Sequence, residues 1–169
     1  NKVYDRLYRD YVARLEEYKQ RYAANLQGEE RNNAEKKIDD FFQNNVTASW
    51  NLLNGFCEKV AKALDAGVDI ELEVRGRTSP LAENDYNINL SRRRIASLVN
   101  YMKQYNNGVL RPWFNDGSLK VVEVPAGETL VQTGISDRLD DLRSSVYNPN
   151  AAIERRIELI NVNLTPPSP

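Results

Sequence analysis

Three short segments in which apolar and polar residues alternate constrain this fold most strongly. They cover residues 68–74, 119–124 and 157–162, and the first reads Val-Asp-Ile-Glu-Leu-Glu-Val. Alternation with a period of two is typical of a β-strand that buries one face and leaves the other in solvent. The sequence therefore predicts three strands that are well separated along the chain.

Stretches of helical periodicity lie before and between these strands. They cover residues 3–25, residues 31–65 with a candidate break near 44–45, and residues 91–105. Since helices and strands interleave, we expect an α/β (α+β) two-layer sandwich in which helices cover one face of a sheet, and the family resemblance described below implies that this sheet is mixed. The tyrosines of the first helix recur mostly at spacings of three, four or seven, which favours packing in a core or on a neighbour over stacking on a ligand.

The length of 169 residues fits one domain with an appendage. We expect a helical extension over residues 1–30, the main domain over 31–164 and a disordered tail over 165–169. Within the main domain, residues 125–149 form a long irregular connection with a candidate short helix near 137–145.

The composition argues against catalysis and metal binding. The chain contains no histidine, the commonest general base and metal ligand, and its net charge of −1 provides no field that would recruit nucleic acid or a membrane surface. Cys57 is the only cysteine and lies among apolar helical residues, so we expect a buried small side chain and no internal disulfide. No apolar run approaches the ~18 residues of a membrane span. We expect no catalytic residue, no metal and no cofactor, and the start at Asn1 rather than Met suggests a piece of a longer protein.

Three consecutive arginines, 92–94, follow Ser91 at the predicted start of the third helix. Serine is a good N-cap residue. A helix N-terminus carries partial positive charge, so each cation there costs roughly a few tenths of a kcal/mol. An anion docked between the backbone N–H groups and the guanidinium groups would offset this cost. The residues alone leave a second interpretation open, in which all three arginines are solvated or pair with Glu83 and Asp85.

Helical geometry separates the three arginines from one another. At ~100° per residue, Arg93 points away from the apolar stripe of the helix, whereas Arg92 and Arg94 flank that stripe. Only one of the two flanks can face the loop that precedes the helix. We therefore expect Arg93 to lie in solvent and one or two of the three arginines to be functional.

The loop between the first strand and this helix carries the other candidate ligand-binding groups. Gly76 permits the close approach of another backbone or of a ligand. The N–H groups of Thr78 and Ser79 could cradle a carboxylate, and Asn87 could reach a ligand with its amide. Open α/β sheets place ligands at such a position, beyond the carboxyl end of a strand and before a helix.

Two motifs in this region resemble a known family. The first is Gly76-x-Thr78 followed by Tyr-Asn-x-x-Leu-Ser-x-x-Arg over residues 86–94, and the second is Glu-Arg-Arg-Ile-Glu-Leu over residues 154–159. Together they resemble the OmpA-like C-terminal domain, a peptidoglycan-binding module of bacterial envelopes, over roughly residues 45–162. The family's first strand is not evident before residue 46. It lies upstream of Asn1, or the tyrosine-rich helix is an insertion after it.

The resemblance implies a non-covalent site for the meso-diaminopimelate residue of the peptidoglycan stem peptide. By the family pattern Arg94 binds the free carboxylate of diaminopimelate, while Asn87 and Arg155 support or extend the site. The complete implied set of ligand-binding residues is Thr78, Ser79, Asn87, Leu90, Arg94 and Arg155. One residue departs from the pattern, because Ser79 stands where the family usually has the aspartate that pairs with the ligand ammonium. Glu83 and Asp85 are candidates for the missing negative charge.

The sequence Thr-Ser-Pro-Leu-Ala together with Asn-Leu-Ser-Arg-Arg-Arg-Ile is similar to a branch of this family found in Bacteroidota. In that branch the module ends envelope lipoproteins, among them a component of the type IX secretion system. The resemblance implies a periplasmic domain, tethered to the outer membrane through the rest of its parent protein, that anchors a larger complex to the cell wall. The alternative is a protein-interaction module of an envelope complex with weak or no peptidoglycan binding, and an enzyme is the least favoured class.

Overall fold

The computed structural model describes residues 2–77, 84–124, 143 and 146–169. Its helices are α1 (Lys2–Val12), α2 (Leu15–Tyr22), α3 (Gly28–Phe41), α4 (Ala48–Asp65), α5 (Asn84–Gln104), α6 (Arg111–Asp116) and α7 (Pro149–Glu154). Its strands are β1 (Asp69–Gly76), β2 (Leu119–Glu123) and β3 (Ile157–Thr165). Within these residues no helix is both long enough and apolar enough to cross a membrane.

The strands form one mixed sheet in the order β2-β1-β3. β1 pairs with β2 in parallel and with β3 in antiparallel orientation, and the second pairing has a register shift between Glu73 and Val74. The prediction of a mixed α+β architecture with three strands is therefore confirmed. β3 extends to Thr165, so the first residue of the predicted tail belongs to the strand.

Alternation in β1 separates a buried face of the sheet from a polar one. Ile70, Leu72 and Val74 are almost completely buried, whereas the intervening Glu71 and Glu73 are partly exposed. α4 and α5 pack on the buried face, and their apolar residues complete the main core. Full burial of an aliphatic side chain contributes roughly 1.5–3 kcal/mol, so this core is the main source of stability. The described part of the chain thus has the predicted helical layer on the buried face.

Cys57 belongs to this core and is a free thiol. Its side chain has no exposed surface, and burial raises the pKa of the thiol to about 12. The prediction of a buried small side chain is confirmed.

The N-terminal helices pack on the rest of the chain through aromatic rings. Tyr8 stacks on Trp50 of α4 with ring centroids 4.8 Å apart, and Tyr18 meets Phe42 edge to face at 5.3 Å. Around Tyr18 lies a second core, which also contains the buried Tyr147. Aromatic pairs of this kind contribute about 0.5–1.5 kcal/mol beyond their buried area. The tyrosines of the first helix therefore pack in a core, as predicted.

The helical regions differ from the sequence prediction in their boundaries. The candidate break near 44–45 lies in a π-helical segment, Phe42–Thr47, which links α3 to α4 without ending the helix. α6 and α7, each of six residues, were not predicted. The predicted short helix near 137–145 lies outside the described residues except for position 143.

Candidate functional site

The arginine-rich helix begins earlier than the sequence predicts. α5 starts at Asn84, so Ser91 is not its N-cap residue and arginines 92–94 lie about two turns inside the helix. The prediction that these arginines sit at the positive end of the helix dipole is therefore wrong. The acid in the first turn is Asp85, the charge that a helix N-terminus favours. Any anion site here depends on tertiary contacts and not on the helix terminus.

The sequence predicts Ser91 as the N-cap residue of this helix, but its hydroxyl makes a tertiary contact instead. The side chain is buried, and its Oγ donates to Glu123 Oε1 at 3.0 Å and lies 3.4 Å from the carbonyl oxygen of Gly76. A Cβ atom at position 76 would overlap this hydroxyl and would lie 2.9 Å from Ser91 Cβ and 3.0 Å from Ser91 Cα. Gly76 therefore permits the close backbone approach that the sequence predicts, and the approaching group is α5.

This contact places Arg94 at the carboxyl end of β1. Arg94 is half-buried, and its Nη1 donates a hydrogen bond to the backbone carbonyl of Arg77, directly after the strand. Arg92 and Arg93 are exposed. The prediction that Arg93 lies in solvent is confirmed, and Arg94 is the flanking arginine that reaches Arg77, the residue directly after β1.

A second group of charges connects the end of β1 to the start of β3. The N–H of Arg77 donates to the carbonyl of Arg156 at 2.8 Å. Glu158 Oε1 accepts from Arg77 at 3.2 Å and from Arg156 at 2.7 Å. Burial by itself would raise the pKa of Glu158, but these hydrogen bonds outweigh burial and hold the pKa below its usual range. Glu158 therefore stays ionised and balances part of the positive charge of this edge.

The resemblance implies three further residues that the structure describes, namely Asn87, Leu90 and Arg155. Asn87 and Leu90 lie on the first turns of α5 and are partly exposed. The Arg155 side chain donates to the carbonyl of Val146 at 3.2 Å, whereas its neighbour Arg156 joins Glu158 and Arg77.

Thr78, Ser79 and Glu83 lie outside the described residues. Asp85, the other candidate for the missing negative charge, is exposed in the first turn of α5.

The structure adds a carboxylate that the sequence prediction missed. Glu123 is the last residue of β2, and it lies beside the end of β1 because the two strands are parallel. Carboxyl ends of parallel strands meet at one edge of a sheet. The acidic residue at the end of the second predicted strand could therefore have indicated Glu123 as a candidate, if the parallel pairing of the strands had been known. In the described part of the chain, no three His, Cys, Asp or Glu side chains gather in a way that could hold a metal ion.

Comparisons with protein-family models, with curated protein sequences and with solved structures return no significant match. At the carboxyl end of β1, the half-buried guanidinium of Arg94 donates to the carbonyl of Arg77. The exposed carboxylate of Glu123 accepts from Ser91, whose hydroxyl lies 3.4 Å from the carbonyl oxygen of Gly76. This end of the strand therefore carries one cationic and one anionic side chain, the two charges that a zwitterionic ligand would need.

Proposed function

We propose that this chain binds peptidoglycan without catalysis, through the diaminopimelate residue of the stem peptide. The observation that carries the proposal is the position of Arg94, which is half-buried and held at the carboxyl end of β1 by its bond to the Arg77 carbonyl. A guanidinium fork is the side chain best suited to bidentate pairing with a carboxylate. Asn87, seven positions earlier on the same helix, adds an amide that can donate to the ligand.

The free end of diaminopimelate carries an ammonium and a carboxylate on one carbon atom. A binding site for this end of the ligand needs a negatively charged group a few ångströms from the guanidinium that binds the carboxylate. Glu123 is our candidate for this group, since its carboxylate is fixed by Ser91 next to Gly76. A charge-assisted hydrogen bond of this kind contributes roughly 1.5–3 kcal/mol. In this proposal Glu123 supplies the charge that Ser79 lacks.

The biological role that follows is anchoring. We infer a periplasmic domain that ties a larger complex of the outer membrane, of the type IX secretion kind, to the cell wall. The motifs around Asn87, Arg94 and Arg155 support this role through their resemblance to OmpA-like domains of Bacteroidota. The role requires no cofactor and no metal.

Two stem peptides test the proposal, one with meso-diaminopimelate at its third position and one with lysine. Lysine lacks only the terminal carboxylate, so it keeps the ammonium and loses the partner of Arg94. We expect the chain to bind the first peptide and to bind the second at least tenfold more weakly, a difference in binding free energy of about 1.4 kcal/mol or more. We also expect the chain to co-sediment with purified sacculi. A chain that stays in the supernatant at low salt and does not distinguish the peptides would instead support the protein-interaction alternative.

A further inference from the structure

Two adjacent arginines lie between α7 and β3, and their side chains bond to different parts of the chain. Arg155 is exposed, and its Nη2 donates to the carbonyl of Val146, a residue that packs on the second core. Arg156 is partly buried, and its Nε and Nη2 donate to Glu158 Oε1 at 3.1 and 2.7 Å. Arg156, the neighbour of the residue that the resemblance implies, is thus tied to β3 by its side chain.

Arg156 also binds the helix that precedes it. Its Nη1 donates to the carbonyl of Ile153 at 2.9 Å, in the last turn of α7. The last carbonyl groups of a helix have no partner within the helix, and basic side chains near its end can bind them. Since the donors of a guanidinium point in fixed directions, one planar group ties the end of α7 to the start of β3.

Glu158 extends this connection to the end of β1. Its Oε1 also accepts from Arg77 Nη1 at 3.2 Å, and the N–H of Arg77 donates to the carbonyl of Arg156 at 2.8 Å. Both the side chain and the backbone of Arg77 are therefore held by the start of β3. The carbonyl of Arg77 in turn accepts the hydrogen bond from Arg94. The bonds thus run from Arg156, through Glu158 and Arg77, to the guanidinium of the proposed site.

We propose that Arg156 is a positioning residue of the arginine site. The bond from Arg77 to Glu158 is longer than the two bonds from Arg156, and a partly exposed ion pair by itself contributes little. Glu158 therefore depends on Arg156 for its place beside Arg77. Without the Arg156 guanidinium, Glu158 can rotate away from Arg77, and the carbonyl that accepts from Arg94 loses its fixed position. This role rests on the proposed function, since it concerns how Arg94 meets the carboxylate of diaminopimelate.

Calorimetry of the full chain with the diaminopimelate and lysine stem peptides tests this role. Arg156→Gln should weaken binding of the diaminopimelate peptide about tenfold, within the range of coupling found for contacting residues. It should leave binding of the lysine peptide unchanged, because that peptide lacks the carboxylate that Arg94 binds. Arg156→Lys keeps the charge but cannot bond to Glu158 and Ile153 together, so it should restore little of the lost affinity. Arg31→Gln is the matched control, since Arg31 donates to Glu35 at 2.8 Å in an exposed ion pair of α3, and it should change neither affinity.

Circular dichroism shows whether each variant is folded, and Arg156→Lys serves as the second variant if Arg156→Gln does not fold. Full affinity of both Arg156 variants for the diaminopimelate peptide would overturn the proposal. Equal losses of affinity for the two peptides would overturn it as well, because Arg156 would then support the fold and not the orientation of Arg94.

A signal that needs no ligand separates this role from the proposed function. A wild type that binds neither peptide refutes the proposed function, and the Nε–H NMR signal of Arg94, assigned from its loss in Arg94→Lys, then decides the role of Arg156. We expect this signal to be the same in the wild type and in Arg31→Gln and to shift in Arg156→Gln. An Arg94 signal that Arg156→Gln leaves unchanged would overturn the proposal.

Discussion

Replacement of Gly76 by alanine perturbs the contact between β1 and α5 that places Arg94 at the end of β1. The new Cβ would overlap the Ser91 hydroxyl and would lie 2.9 Å from Ser91 Cβ and 3.0 Å from Ser91 Cα. Rotation of the Ser91 side chain can move the hydroxyl away, but Cα and Cβ are fixed to the backbone of α5. Relief therefore requires the helix to move away from the end of β1. Arg94 moves with it, because it lies one turn further along α5.

Overpacking of this kind costs about 1–3 kcal/mol. Alanine recovers up to about 1 kcal/mol because it restricts the unfolded chain more than glycine does. We therefore expect Gly76→Ala to lower the free energy of unfolding by about 1–2 kcal/mol, which at a urea dependence of about 2 kcal/mol per molar shifts the midpoint by about 0.5–1 M. Gly55→Ala is the control, since a Cβ at position 55 meets no atom within 4 Å and should stabilise α4 by up to about 1 kcal/mol.

Urea unfolding of four proteins, the wild type, Gly76→Ala, Ser91→Gly and the double variant, completes the test. Ser91→Gly removes Oγ and Cβ, so Gly76→Ala should cost less in that background than in the wild type. Coupled neighbours commonly show interaction energies of about 0.5–3 kcal/mol. If Gly76→Ala is neutral or stabilising, or if the two substitutions are additive, the close approach of α5 to β1 does not restrict position 76.

Three further predictions follow from the core and the site. Cys57 should resist a thiol reagent near pH 8 in the folded chain and react after addition of urea, because burial raises the pKa of the thiol to about 12. Since the neutral thiol is favoured in the folded state, its contribution to stability is present below the unfolded pKa of about 8.5 and is lost as the pH rises towards 12. Urea unfolding curves measured between these pH values should show this loss of stability. Leu64→Ala, at a fully buried core position, should lower the free energy of unfolding by about 2–5 kcal/mol in urea denaturation, and a change below about 1 kcal/mol would contradict the core assignment. Glu123→Gln should weaken binding of the diaminopimelate peptide roughly tenfold to a hundredfold in calorimetry, as expected for the loss of about 1.5–3 kcal/mol. It should not affect binding of a peptide whose side-chain ammonium is acetylated. Equal losses of affinity for both peptides would contradict the assignment of Glu123 to the ammonium.

The strands were predictable from the sequence because alternation is a local signal. Each of the three segments alternates apolar and polar residues, and no tertiary information is required to recognise that pattern. The burial of one face that this pattern predicts is found in β1, whereas no residue of β3 is buried. The turn after α5 was predictable for a similar reason, since Asn106, Asn107 and Gly108 adopt the positive φ angles that asparagine and glycine tolerate best. α6 and α7 are too short for a helical period to emerge from their sequences.

The start of α5 was not predictable from propensity, because a serine before a helical stripe has more than one use. Ser91 has the side chain of an N-cap residue, but its hydroxyl bonds to Glu123, 32 positions away in the sequence. The same long-range pairing explains why Glu123 was missed, since its place in the site depends on the parallel neighbour of β1. Helical geometry correctly placed Arg93 in solvent and left Arg92 and Arg94 as alternatives, because the angular separation of residues within a helix does not depend on where the helix begins. Only the family resemblance favoured Arg94 over Arg92.

Calorimetric titration of the diaminopimelate stem peptide into the wild type, Arg94→Ala and Arg93→Ala is the most direct measurement of the central claim. Both variants lose one positive charge from adjacent positions of α5, but only Arg94 reaches the end of β1. We predict that Arg94→Ala abolishes detectable binding and that Arg93→Ala stays within about twofold of the wild type, a difference of about 0.4 kcal/mol. Equal affinity of all three proteins for the peptide would contradict the assignment of Arg94 as the carboxylate-binding residue.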